Sequence, residues 1–226
     1  MNEVAAEPFR VQTSLMAMGS GWNKTLIAGL VLASGMPLSR SADFELTPAE
    51  AERVERGQTV IRASLDAAQR RGTVRAAMLI DASPDVVFQA MTNCADALKY
   101  VPHLRSCRVL PQAGESSSRL VEHEIDFGWY APRIHYVFQA DFVTDRSIAF
   151  RQVRGDFRAN EGLWEFEPAG ERTLLRYRVL IDPPGYIPNW LARSTFKREL
   201  PRMLAQLKRH CEAEQRQGAQ ANIFPY

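Results

Sequence analysis

Residues 80–110 read IDASPDVVFQAMTNCADALKYVPHLRSCRVL. An aliphatic, β-branched run over Thr73–Ile80 leads into this stretch and has strand character. Asp81-Ala82-Ser83-Pro84 then stops the strand and starts a helix, with Ser83 at the N-cap and Pro84 at the first helical position. Val87, Phe88 and Met91 fall on one face of that helix. A second short helix is predicted near Asp96–Tyr100, closed by Val101-Pro102, and a strand follows over Ser106–Leu110. One strand, two short helices and a return to strand is the local order on which the rest depends.

Downstream, five further strands are expected: Leu120–Phe127, Ile134–Phe142, Ser147–Val153, Gly162–Glu167 and Thr173–Ile181. The connections between them are short and carry turn residues, such as Thr144-Asp145 and Ala169-Gly170. Connections of that length build antiparallel hairpins and a meander. Asp182-Pro183-Pro184-Gly185 breaks the pattern. A long helix is predicted from about Pro188 to Gln215, with Leu191, Phe196, Leu200, Leu204, Leu207 and Cys211 recurring at helical spacing. An antiparallel sheet with one long amphipathic helix must bury the helix against one sheet face. A strongly twisted sheet curls round that helix and leaves a space between the two.

Upstream, Thr47-Pro48-Ala49-Glu50 forms a capping box with Pro at the first helical position, and Gly57 stops the short helix it opens. Gln58–Ser64 reads as a short strand. Still earlier, Lys24 precedes an apolar stretch, Leu26–Leu32, with small residues at Ser39 and Ser41. These are the parts of a secretory signal, and the stretch is shorter than the ~20 residues of a membrane-spanning helix. An internal start at Met16 or Met18 would shorten the leader to ordinary length. The alternatives for this segment are an N-terminal helix of the fold and an uncleaved anchor. The expected organisation is a signal-like segment over 1–41, a lead-in over 42–72, the main domain over 73–217 and a flexible tail over 218–226. Localisation follows as exported and periplasmic, with membrane anchoring or a cytoplasmic location as alternatives.

Composition narrows the function. The 226 residues are 46% hydrophobic and 24% charged, with Lys+Arg 28 against Asp+Glu 26. So balanced a charge argues against nucleic-acid binding, which normally rests on a basic excess. Cys 3 and His 4 provide neither a disulfide framework nor a closed zinc site, so no metal is expected. The cysteines Cys94, Cys107 and Cys211 are expected to act as small buried apolar groups. There is no phosphate-binding Gly-rich loop, nucleophile elbow or His-Glu-x-x-His, and no cofactor is expected.

The order of elements, with the stretches at 80–110, VRGDFRANEGLWEFEP at 153–168 and IPNWLARSTFKRELPRMLAQLKRH at 187–210, resembles the helix-grip fold of the START-like (SRPBCC) superfamily. Within it, the chain is most similar to the bacterial polyketide cyclase/dehydrase and lipid transport, or coenzyme Q-binding-like, branch. The resemblance covers about Leu46 to Glu214. It implies an α+β helix-grip fold: a curved antiparallel sheet of about six to seven strands wrapped round a long C-terminal helix, with two short helices after the first strand. It also implies a cavity for lipids, sterols, quinones or polyketides. The Rieske Cys/His pattern of the ring-hydroxylating oxygenases is missing, which sets that branch aside.

Strand alternation assigns the cavity wall. Glu122, Glu124 and Asp126 share one face of their strand, so Val121, His123, Ile125 and Phe127 point inward. The same rule turns Tyr136, Phe138, Phe150, Trp164 and Tyr177 inward, and Trp129 and Trp190 sit in loops placed to border the mouth. These eleven are the candidate ligand-binding residues; any one inward ring serves equally well as core, and the pocket as a whole carries the reading. His123 is either a satisfied core histidine or a partner for a ligand oxygen, and no residue is assigned a catalytic role. The expected function is binding, with transport, of a small hydrophobic ligand such as a lipid, sterol, quinone or polyketide, with transient membrane-surface contact. The alternative is an aromatase/cyclase or dehydratase-type enzyme using His123 with Tyr136 or Tyr177.

Overall fold

The computed structural model describes residues 44–223 apart from 67, 69–70, 113–116 and 130. The signal-like segment lies outside the described residues. Among them, the order is α1 (Pro48–Glu55), β1 (Val60–Leu65), β2 (Gly72–Ile80), α2 (Pro84–Thr92), α3 (Cys94–Tyr100), β3 (Leu104–Leu110), β4 (Ser118–Ile125), β5 (Ile134–Val143), β6 (Ser147–Gly155), β7 (Ala159–Ala169), β8 (Arg172–Asp182), α4 (Asn189–Ser194), a π-helical turn (Thr195–Glu199) and α5 (Leu200–Ile223).

The strands form one antiparallel sheet in the order β1-β2-β8-β7-β6-β5-β4-β3. After β2, the helices α2 and α3 carry the chain across to the far edge. The meander then walks back strand by strand until β8 lies beside β2. Eight strands replace the expected six to seven because the lead-in strand β1 pairs with β2 along its whole length. The capping box of α1 forms as read: Thr47 N donates to Glu50 Oε2 at 2.9 Å, and Glu50 N to Thr47 Oγ1 at 3.3 Å. Val54 of α1 packs with Phe44, Val60, Ala77 and Leu79, which buries β2 on both faces.

Inside the curve of the sheet, Met78, Ile80, Leu175 and Phe166 pack against Leu200, Leu204, Leu207 and Cys211 of α5 and against Val87 and Ala90 of α2. The far half of α5 is tied down. Lys208 Nζ donates to the Leu79 carbonyl, and Ser83 N and Oγ both donate to Gln215 Oε1, at 3.1 and 3.2 Å. Ser83 holds the N-cap position of α2, yet its hydroxyl serves this tie rather than capping the helix.

The long helix departs from its expectation at both ends. It is interrupted by the π-turn immediately before Leu200-Pro201. Proline at 201 has no N–H to give the carbonyl one turn back, and its ring crowds that turn, so the helix widens to accommodate it. At the other end α5 continues through Gly218 to Ile223, past the expected helix end at Gln215.

Cys94 and Cys107 are corrected. The first residue of α3 and the middle of β3 are brought to a Cα–Cα distance of 5.2 Å, and the two are joined by a disulfide. Only Cys211, buried in the core, keeps the role expected of all three. Burial pushes its thiol up to about 12. No helix among the described residues is long and apolar enough to cross a membrane.

Candidate functional site

The alternation that assigned the faces is visible on β4. Outward, Glu122 accepts from Arg108 Nε and bonds His135 Nε2 at 2.8 Å, while Glu124 and Asp126 pair with Arg133 at 3.0 and 3.1 Å. Inward, the opposite face borders a cavity of about 280 Å³ between the sheet and the α4–α5 segment. Nine of the eleven expected residues line it: Val121, His123, Ile125 and Phe127 along β4 and its extension, Tyr136 and Phe138 on β5, Phe150 on β6, Trp164 on β7 and Tyr177 on β8. Trp129 and Trp190 are not among the lining residues; they are 96% and 59% exposed. Trp190 lies in the first turn of α4 rather than in a loop. Phe127 and Ile187, on the neighbouring loops, and Ala192 of α4 reach the cavity and pack together with Ala131, Ile134 and Leu191.

Ring packing fixes the wall. Trp164 stacks on Tyr177 with centroids 3.6 Å apart, Phe138 meets Phe150 edge-on at 6.1 Å, and Tyr136 meets Phe157 edge-on at 5.1 Å. A β-bulge between Val137 and Phe138 places Gly155 opposite Tyr136. A Cβ at Gly155 would come within 2.4 Å of Tyr136 Cα, so the strands close here only around a glycine with φ +128°.

One polar pair sits in this apolar wall. His123 Nδ1 and Tyr136 Oη are 3.0 Å apart, and both residues are buried. Burial lowers His123 to about 4 and raises Tyr136 and Tyr177 above the ordinary phenol range. At neutral pH the imidazole is therefore uncharged and the phenols keep their protons. A neutral imidazole and a phenol hold one N–H and one O–H between them, and their mutual bond uses one. Whichever tautomer is present, one donor is left to offer a ligand oxygen.

The cavity also takes in residues that the sequence reading missed. His103 and Glu199 both line it. His103, just past Pro102, has φ 62°, a conformation rare for a residue with a side chain. Glu199 ends the π-turn, and the signal that could have found it was Pro201 within a helical stripe. A further cluster lies elsewhere: Asp96, His210 and Glu214 bring ligand-type atoms together. Lys99 Nζ lies 2.7 Å from Asp96 Oδ1. It supplies positive charge at that carboxylate, and the group reads as a polar tie between α3 and α5.

The family model described as polyketide cyclase/dehydrase and lipid transport matches residues 80–208. No curated protein sequence matches. Among solved structures, the Zhui aromatase/cyclase of Streptomyces sp. R1128 is 15% identical with a TM-score of 0.53, over 72% of this chain and 98% of that one. A STAR-related lipid transfer protein of Xanthomonas axonopodis is 17% identical with a TM-score of 0.54, over 67% and 93%. The lipid transfer and protein localization domain of human StarD13 is 14% identical with a TM-score of 0.53, over 70% and 84%. At these identities the likeness is one of fold.

Proposed function

The chain belongs to the polyketide cyclase/dehydrase and lipid transport family, a START-like hydrophobic-ligand-binding domain, and on that premise we propose that it is an exported carrier of a small hydrophobic molecule. The observation that carries this is the cavity of about 280 Å³ walled mainly by aromatic and aliphatic side chains, with a few polar groups that include the buried His123–Tyr136 pair. Apolar pockets with a few placed polar groups suit such ligands. Capture is driven by removing ligand apolar area from water, at ~25 cal/mol per Å² before the costs of ordering. Trp129 and Tyr186, on the loops beside Phe127 and Ile187, and Trp190, in the first turn of α4, are exposed. Aromatic rings of this kind favour a membrane interface, and through them the ligand passes between bilayer and cavity. The Cys94–Cys107 disulfide suits an oxidising compartment such as the periplasm.

Native mass spectrometry of protein purified from its natural compartment tests the reading. A co-purified lipid, quinone or polyketide-sized molecule is the expected result. A cavity that is empty and takes up no hydrophobic dye would overturn it.

A second reading, catalysis of aromatase/cyclase or dehydratase type, draws on the 3.0 Å contact between His123 and Tyr136. There His123 is the neutral base, with Tyr136 or Tyr177 as proton donor. Under it, His123→Ala abolishes turnover while keeping binding; a variant as active as the parent rules it out.

A further inference from the structure

His103 and Glu199 make a second polar station in the cavity wall. The His103 ring packs on Phe127 with centroids 4.9 Å apart, and its Nε2 lies 3.7 Å from Glu199 Oε2. That distance is too long for a hydrogen bond. Glu199 Oε2 is sealed from solvent and has no hydrogen-bond partner among the described residues, a costly state for a carboxylate oxygen. Two features hold the pair in place. The left-handed backbone at His103 is the kind of local strain that persists only where its surroundings enforce it. The π-turn, a geometry often found at functional sites, carries Glu199.

The first station, His123 with Tyr136, lies on β4 and β5. Phe127, on which His103 packs, is four positions along from His123. Ile125 and Phe127 supply apolar wall between the two stations. They differ in chemistry. His123 with Tyr136 has a proton to give, and Glu199 has a lone pair to fill.

We propose that the cavity selects an elongated apolar molecule with a polar group at each end, an acceptor such as a carbonyl bound by His123 and Tyr136, and a hydroxyl that donates to Glu199 beside His103. This rests on the ligand-binding reading and sharpens it from hydrophobic to bifunctional. A small turn of the His103 ring, which is about one third exposed, brings the hydroxyl to Glu199 Oε2.

The test is competition of four chain-matched probes against a bound hydrophobic dye: a straight-chain alkane, its ketone, its alcohol, and the hydroxy-ketone with its two groups at opposite ends of the chain. Each polar group is expected to tighten binding about tenfold, the value of one well-made hydrogen bond to a buried partner. The double variant His123→Leu/Tyr136→Phe, which removes both donors of the first station, should remove the ketone's gain and leave the alcohol's. Glu199→Leu should do the reverse, and Glu199→Gln, which keeps the shape, should weaken the alcohol's gain without touching the alkane. Melting curves of the variants report that the fold is retained. Equal binding of all four probes, or a Glu199→Gln loss equally large for the alkane, overturns the proposal while leaving the carrier reading standing. If none of the four displaces the dye and no dye binds, the carrier reading itself fails, and this inference with it.

Discussion

His123 couples the cavity to pH. Burial holds its folded-state value near 4, against about 6.5 for an unperturbed imidazole. Between those values the unfolded chain binds a proton that the folded chain refuses, so stability rises with pH across that window. The stabilisation is complete above about 6.5 and is lost as pH falls toward 4, an effect on the order of 3 kcal/mol. Urea titrations at steps of pH should show this slope in the parent, and His123→Phe should flatten it. A slope unchanged by the substitution would show that other groups carry it. Gly155 is a second residue with a sharp consequence. Gly155→Ala drives a Cβ into the Tyr136 backbone and imposes φ +128° on a residue with a side chain. We expect a loss of about 2–3 kcal/mol and a change in the tyrosine environment, read by denaturation and near-ultraviolet circular dichroism. Of these two residues, only His123 could be singled out from the sequence, because alternation on β4 is a local property. The bulge that requires Gly155 is set by pairing between β5 and β6, and its glycine looks like any hairpin glycine.

Among the elements, α3 and β3 are coupled by the disulfide across a sequence separation of 13. Closing a loop of that size restricts the unfolded chain by about 3 kcal/mol. Cys94→Ser, or reduction of the parent, should lower the unfolding free energy by roughly 2–4 kcal/mol, and the reductant should have no further effect on the variant. If it destabilises both equally, the bridge is not the cause. Both half-cystines also line the cavity. The pairing was hidden because an odd cysteine count fits several arrangements. What joins these two is the chain's crossing from β2 to the far edge, which sets α3 beside β3. The helices and strands themselves were legible because their signals are local: the Thr47 capping box, Ser83-Pro84, and alternation along each strand. The π-turn was missed because helical periodicity in the apolar stripe continues through it, with Phe196 and Leu200 both buried.

For the whole molecule, the layout and nine of the eleven wall residues followed from alternation and element order. Alternation could not place the residues outside the strands: Trp129, in a loop, and Trp190, at the start of α4, are exposed and do not line the cavity, while His103 and Glu199 do. The topology also dictates a sequence of events. The hairpins from β3 to β8 join neighbours in the chain, whereas β2 must find β8, with Gly72 opposite Ile181. Closing so long a loop is slow relative to hairpin formation. Pulse-labelled amide exchange during refolding should show the β4–β7 amides protected before those of β2; simultaneous protection would contradict this order. Docking of β2 adds the bond from Lys208 to the Leu79 carbonyl and so fixes α5 to that strand. None of the cavity's lining residues comes from β2, so a newborn chain can raise the walls of its binding chamber before its sheet is complete.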